Sequence, residues 1–517
     1  MFNFWAERST VMTVRRWARC GSAVDVLRRA LLGAALLAWG AGSAAQDLSA
    51  LESLADDNAR ISALVVDLST RQVLAQLNAA ARLTPASVTK LYAAAASLER
   101  FGPDHRFHTH FVSDGEVVDG VLRGDLVFRG AGDPDFDSKR LWALVERLRQ
   151  MGVRRVTGDL VIDESLFGAV PCVTVDRCGV TRASRNAYDA PLSAAGVNFS
   201  TVEIAFVPGP DTGSPARVSF MPTRLPGFDI VGSVRTVAPG ARATSSLRRV
   251  TEGGVNRLLV DGQVPVGGPP VRLSRSVPYA ANYAAAVVGA ILTEAGVDIA
   301  GRTRVQSTPL PPGYRSLVSI ESTTLAEQLR AMMTYSNNYM ADTLTLDVLA
   351  YAPDRPVSLT LPQAGERLES LARRANTMAP FAVPQSAASA PLHIDAGSGL
   401  SHQTRLSAQD IVSLLAYMYR QSSLFPSLIG SLPVPEHTPS RMLKNGNIDW
   451  MTRVLAKTGT LSQPVSVRSL AGYIRLANGN FGAFAVIVNG SDKRRAIPGP
   501  ESMEAIRTDI ELLLARH

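Results

Sequence analysis

Thr84-Pro85-Ala86-Ser87-Val88-Thr89-Lys90-Leu91-Tyr92-Ala93-Ala94-Ala95-Ala96-Ser97-Leu98 is the stretch on which the fold of this 517-residue chain turns. Pro85 can open a helix near its first turn, and the Ala-rich run after Lys90 propagates it. Ser87 therefore falls at a helix N-terminus, and Lys90, three residues on, shares its face within reach of the hydroxyl. That pairs a nucleophile with a base, provided desolvation or a nearby cation lowers the lysine pKa. Alone, such a pair is usually a solvated helix face, so its meaning depends on its companions.

Two companions follow in order. Ser336-Asn337-Asn338 lies after the amphipathic run Leu325, Leu329, Met332 and Met333 and before Tyr339 to Leu349. It belongs in or between helices, where its hydroxyl and amide suit proton transfer and hydrogen bonding. Lys457-Thr458-Gly459-Thr460 precedes two strand-like runs, Arg468 to Leu476 and Phe481 to Val488, joined by the hairpin signal Asn478-Gly479. The motif reads as an edge-strand segment lining a cleft. Lys457 is a candidate for the cation that depresses Lys90, and Gly459 is expected to let a substrate backbone lie close, as one more strand. Any one of the three is a weak signal; their order and settings together are not.

On these motifs the chain resembles the class C low-molecular-weight penicillin-binding proteins, the D-alanyl-D-alanine carboxypeptidase/endopeptidase family typified by penicillin-binding protein 4. The long stretch from Ser87 to Ser336 selects that family, which is known for domains inserted there. Gly130-Ala131-Gly132-Asp133-Pro134, Gly158 to Asp163, Ala190-Pro191-Leu192-Ser193 and Gly397-Ser398-Gly399-Leu400-Ser401 resemble family segments as well. The resemblance implies an α/β (α+β) serine β-lactamase/DD-peptidase-like transpeptidase domain, a mainly antiparallel sheet flanked by helices and interrupted by two inserted β-rich domains. It implies that Ser87 attacks the carbonyl between two D-alanines, with Lys90 taking its proton and the backbone N–H groups of Ser87 and Thr460 holding the oxyanion. Ser336 would relay a proton to the leaving amine, Asn338 would hold Lys90 and the substrate amide, and Lys457 with Thr458 would bind the terminal carboxylate. Asp163 and Phe167 match an Asp and a Phe of the family that approach the side chain of the stem-peptide diamino acid, although an Asp ending a strand is more often a turn residue. Peptidoglycan stem peptides are the implied substrate and β-lactams the implied inhibitors, with no cofactor and no metal. His402 stands where the family commonly has an arginine, with Arg405 three residues on, and Ser462 precedes Gln463 after the third motif.

Two other readings stay open. A β-lactamase needs fast deacylation, and Glu366-Arg367-Leu368-Glu369 does not match the Glu-x-x-Leu-Asn segment of the class A enzymes. A catalytically silent envelope scaffold would bind peptidoglycan through the insertions, against which the intact Ser87, Lys90, Asn338 and Lys457 argue.

Composition fits a multidomain exported enzyme. A chain that is 46% hydrophobic and 19% charged is ordinary globular material, so disorder is not indicated. Half of the net charge of +8 lies in residues 1 to 45, so nucleic acid is not implied. Those residues read as a signal peptide, with Arg15, Arg16, Arg28 and Arg29 before the apolar Ala30 to Trp39 and cleavage expected after Ala45. The apolar core is well short of the roughly 20 residues of a spanning helix, which favours soluble export to the periplasm and leaves oligomeric state open. Cys20 lies in the signal, and Cys172 and Cys178 are expected to form a local disulfide, with two free thiols as the alternative.

The expected organisation is a discontinuous catalytic domain at 46–104 and 316–517, one inserted domain at 105–180 and 270–315, and a second at 181–269. Val117 to Phe128 reads as strand, Ser138 to Met151 as an amphipathic helix and Ala379 to Pro391 as a surface loop. His105, His108 and His110 are expected to be structural. Asp133, Asp135 and Asp137 mimic a calcium loop, but Ser138 occupies its required glycine position, so they are expected to cap the following helix.

Overall fold

Leu64 and Val66 face one side of strand β1 (Arg60–Asp67), Ala63 and Val65 face the other, and all four are fully buried. An alternation with no polar side requires cover on both faces of the sheet. The computed structural model, which describes residues 48–384 and 389–517, supplies it. β1 pairs antiparallel with β2 (Val73–Leu77) and, on its other edge, with the last of three C-terminal strands, β3 (Val454–Leu461), β4 (Val467–Arg475) and β5 (Phe481–Asn489). The order is β2-β1-β5-β4-β3, antiparallel throughout, which leaves β3 at an edge as its motif predicts.

One face carries α1 (Lys90–Phe101), α2 (Leu325–Tyr335), α3 (Asn338–Ala350), α4 (Leu361–Met378) and α5 (Ala408–Tyr419), whose Leu91, Leu329, Leu344, Leu368 and Ile411 share a core with Ala471, Tyr473 and Ile487 of the sheet. The other carries α6 (Gly499–Arg516), the N-terminal helix Ser49–Asp56 and Trp450, packed on Phe484, Val486 and Val488. The sheet thus draws on both ends of the chain and is sandwiched between helical layers, the expected fold class.

Among the described residues, those between α1 and α2 build five further sheets around a separate core that includes Phe111, Phe128, Leu144, Ile204 and Ile291. The boundaries expected at 270 and 316 cut across strand pairings. Val271–Ser276 pairs with Thr201–Val207, and Arg315–Glu321 pairs with His108–Ser113. Composition does not reveal such joins, because a strand's partner lies far away in sequence. Val117 to Phe128 is not one strand but three, Glu116–Val118, Val121–Arg123 and Leu126–Arg129. The first turn is Asp119-Gly120, both at positive φ, as a tight hairpin demands.

The amphipathic helix spans Ser138–Gln150 with Leu141, Leu144, Val145 and Leu148 buried, and the Asp137 carboxylate accepts from the Arg140 N–H as its cap. Asp133 and Asp135 are bound by the Arg140 guanidinium at 2.6 and 2.5 Å. Among the described residues no group of His, Cys, Asp or Glu is arranged to hold a metal ion. None of the described helices is long and apolar enough to cross a membrane. The signal peptide expected at residues 1 to 45 lies outside the described residues, as do residues 385–388 of the expected surface loop.

Candidate active site

The Ser87 helix begins differently from its sequence reading. Ala86–Thr89 forms a 3₁₀ turn and α1 starts only at Lys90. Ala86 takes a left-handed φ of 51°, a strained value for a residue with a Cβ, and the bend presents Ser87 at the cleft. Two side chains hold the turn: the Thr89 hydroxyl donates to the Ala86 carbonyl at 2.7 Å and the Ser469 hydroxyl of β4 donates to the Pro85 carbonyl at 2.6 Å.

Lys90 Nζ lies 3.0 Å from Ser87 Oγ and donates to Asn338 Oδ1 and to the Ser398 carbonyl, both at 2.7 Å. The residue is fully buried. Burial first, and the Lys457 cation second, hold its pKa well below the ordinary lysine value. A lysine whose charged form is disfavoured in this way, beside the hydroxyl, is a base in place.

Ser336 and Asn337 are the whole link between α2 and α3. Ser336 closes α2 with a left-handed φ of 53°, and the Asn337 side chain caps α3 by accepting from the Met340 N–H. The sharp turn aims the Ser336 hydroxyl at β3, where Lys457 Nζ donates to it at 2.8 Å and to the Thr458 carbonyl at 2.7 Å. Burial lowers the Lys457 pKa to about 7. Asn338 opens α3 and turns its amide N–H to the Tyr188 carbonyl at 3.1 Å.

These motifs meet at one cavity of about 450 Å³, lined by Ser87, Ser336, Asn338, Thr458 and Thr460 together with Asp176, Tyr188, Leu400, His402 and Gln463. His402 does face it, whereas the Arg405 guanidinium is tied to Thr84 Oγ1 and the His402 and Thr404 carbonyls.

Two expectations are corrected. Asp163 ends a strand held on both sides by parallel neighbours, and its carboxylate accepts from Arg129 at 3.0 Å and from the Ser165 N–H; it lines a separate depression with His108 and Tyr351. Phe167 is fully buried beside Leu192, Tyr339 and Leu349. Neither reaches the cavity at Ser87. At Gly459 a Cβ would meet Ser469 Oγ, the Pro85 carbonyl and the Ser87 N–H, so its missing side chain admits the nucleophile's own turn.

Sequence reasoning missed Asp176, which lies on the short helix Val175–Gly179 within the loop closed by the Cys172–Cys178 disulfide, and Tyr188, ten residues beyond Cys178. It also missed Ser398 as a partner of Lys90. The glycine after it carried a signal: Gly399 sits at φ +72° with its Cβ position 1.9 Å from the Ala86 carbonyl, a close approach only glycine allows.

Comparison with known proteins shows which family the chain resembles. The chain is 28% identical over 493 residues to the D-alanyl-D-alanine carboxypeptidase of Actinomadura sp. strain R39, covering 90% of this chain and 86% of that protein. It is 24% identical over 449 residues to the D-alanyl-D-alanine carboxypeptidase DacB of Haemophilus influenzae, covering 86% and 88%. The crystal structure of penicillin binding protein 4 from Haemophilus influenzae superposes with a TM-score of 0.70 at 22% identity, covering 91% of this chain and 99% of that one, and so shares the fold. The profile of the D-Ala-D-Ala carboxypeptidase 3 (S13) family matches residues 45–510, and with its three motifs around one buried lysine and one serine the chain belongs to that family of serine-type DD-peptidases.

Proposed function

We propose that Ser87 is the nucleophile with which this DD-peptidase acts on peptidoglycan stem peptides. The observation that carries the reading is the buried Lys90 amine, 3.0 Å from Ser87 Oγ and held below its ordinary pKa. Lys90 takes the hydroxyl proton as Ser87 Oγ bonds to the carbonyl carbon between two D-alanines, and the backbone N–H groups of Ser87 and Thr460 hold the oxyanion. Ser336, hydrogen-bonded to Lys457, returns a proton to the leaving amine as the C–N bond breaks. Lys457 and Thr458 bind the terminal carboxylate, Asn338 orients Lys90 and the substrate amide, and water then releases the acyl group. Asp176 is the acidic side chain lining the cavity and suits the free amine of the diamino acid, the role the sequence suggested for Asp163.

Because a β-lactam presents its amide in the same place, it acylates Ser87. Glu366 lines a different depression, and among the described residues no glutamate lines the cavity at Ser87, which disfavours a β-lactamase. The Arg-flanked apolar stretch near the N-terminus supports export to the periplasm. The separate core of residues between α1 and α2 supports inserted domains with boundaries nearer 276 and 321. The test is incubation with purified pentapeptide monomers and cross-linked dimers. Release of D-alanine, cleavage of the dimers, or both, is expected from the unaltered protein and neither from Ser87→Ala; peptidase activity surviving in that variant removes Ser87 from the mechanism.

A further inference from the structure

Both protein groups that accept from Lys90, apart from Ser87, are themselves held by one segment of the inserted region. Asn338 donates to the Tyr188 carbonyl at 3.1 Å. Ser398, whose carbonyl accepts from Lys90, donates its N–H to Asp342 Oδ1 at 2.7 Å, and Asp342 Oδ2 accepts from Arg177 Nη1 at 2.5 Å. Arg177 Nε donates in turn to the Ala190 carbonyl at 3.0 Å. The ion pair is closed to solvent, with side-chain exposures of 2% for Arg177 and 0% for Asp342. Arg177 stands beside Cys178, so the Cys172–Cys178 disulfide ties down the short helix that carries it.

A buried ion pair gives little net stability, because desolvation of both charges offsets their attraction. Its position two hydrogen bonds from a catalytic base calls for another account. We propose that Arg177 and Asp342 are positioning residues for Lys90, fixing the Ser398 carbonyl that aims its amine at Ser87 and setting the charge balance around it. The inserted region thereby completes the catalytic centre instead of only decorating it. The proposal rests on the reading of Lys90 as the base.

The charged groups facing Lys90 are Lys457 from β3, Asp342 from α3 and Arg177 from the inserted segment. Asp342 favours the protonated amine, and Arg177 and Lys457 disfavour it. A base must be neutral, so the acid limb of the acylation rate follows the Lys90 pKa. Arg177→Gln leaves the Asp342 anion unopposed and moves that limb to higher pH. Asp342→Asn keeps an acceptor for the Ser398 N–H, leaves Arg177 unopposed and moves the limb to lower pH. A purely structural role gives no such opposed pair.

Either single variant leaves a buried unpaired charge and can fail to fold. Two double variants avoid this. R177Q/D342N keeps the acceptor for Ser398, and R177M/D342L removes it, with no unpaired charge in either. The experiment measures the first-order rate constant of acylation by penicillin at saturating drug across pH, a quantity independent of the folded fraction. R177Q/D342N is expected within about threefold of the unaltered protein and R177M/D342L about tenfold or more slower, the cost of a misplaced base. Equal rates in the two doubles, or limbs in the folded singles that move the same way or not at all, overturn the proposal. Failure of the unaltered protein to acylate at all overturns the reading of Ser87 and Lys90 beneath it.

Discussion

Gly459→Ala tests how tightly the third motif grips the nucleophile. No left-handed φ is required at Gly459, so the cost of a side chain is steric alone. The new Cβ would lie 2.1 Å from Ser469 Oγ, 2.8 Å from the Pro85 carbonyl oxygen and 3.1 Å from the Ser87 nitrogen. Ser469 has nowhere to retreat, being fully buried and donating to the Pro85 carbonyl at 2.6 Å. The displacement therefore falls on the backbone of the Ser87 turn. Overpacking of this size costs about 1–3 kcal/mol of stability. Moving Ser87 by a large fraction of an ångström, together with a proposed oxyanion donor, costs about 100-fold in rate. Stopped-flow acylation by a fluorescent penicillin gives the rate, and urea unfolding gives the stability. Gly430→Ala is the control, since nothing lies within 4 Å of its Cβ position, and its stability change is expected to be neutral or favourable by up to about 1 kcal/mol. Acylation of Gly459→Ala within about threefold of the unaltered protein would refute the packing argument.

Other consequences follow from the buried charges. Lys457, with its pKa lowered to about 7 by burial, loses its cation as pH rises through that value, so kcat/KM for substrates ending in a free carboxylate falls on the alkaline side; a profile flat across the neutral range contradicts this. Neither carboxylate oxygen of Asp347 has a hydrogen-bond partner, and burial, with Asp133 adding to it, raises its pKa well above 3.8. A raised carboxyl contributes its stability at low pH and loses it as pH climbs through the raised value. Asp347→Asn is accordingly expected to gain about 1–3 kcal/mol at neutral pH and to flatten the fall of stability with pH, which urea unfolding at several pH values reads. Identical slopes for the two proteins would show that Asp347 is not the group responsible.

The catalytic sheet was legible because its signals are local. The Asn478-Gly479 turn and the Ala-rich helix after Lys90 each declare themselves within a dozen residues. Ser87, Lys90, Ser336, Asn338, Lys457, Thr458 and Thr460 were likewise found from motif order, and the structure brings them together. What stayed hidden depends on distant partners. The pairing of Val271–Ser276 with Thr201–Val207 leaves no mark in either strand's composition. Asp163 was misplaced because a strand-ending carboxylate looks the same whether it faces a cleft or an arginine such as Arg129. Asp176 and Arg177, in the disulfide-closed loop, and Tyr188, ten residues after it, were missed because such irregular backbone has no periodicity to read, and only the tertiary fold carries it to α3.

The central claim is that Ser87 forms a long-lived acyl-enzyme with penicillin, and intact-mass spectrometry of the purified protein before and after the drug tests it most directly. The account predicts a persistent adduct of one drug molecule, mapped to Ser87 and absent from Ser87→Ala. Rapid loss of the drug with no persistent adduct, or an adduct of equal yield in Ser87→Ala, would contradict it.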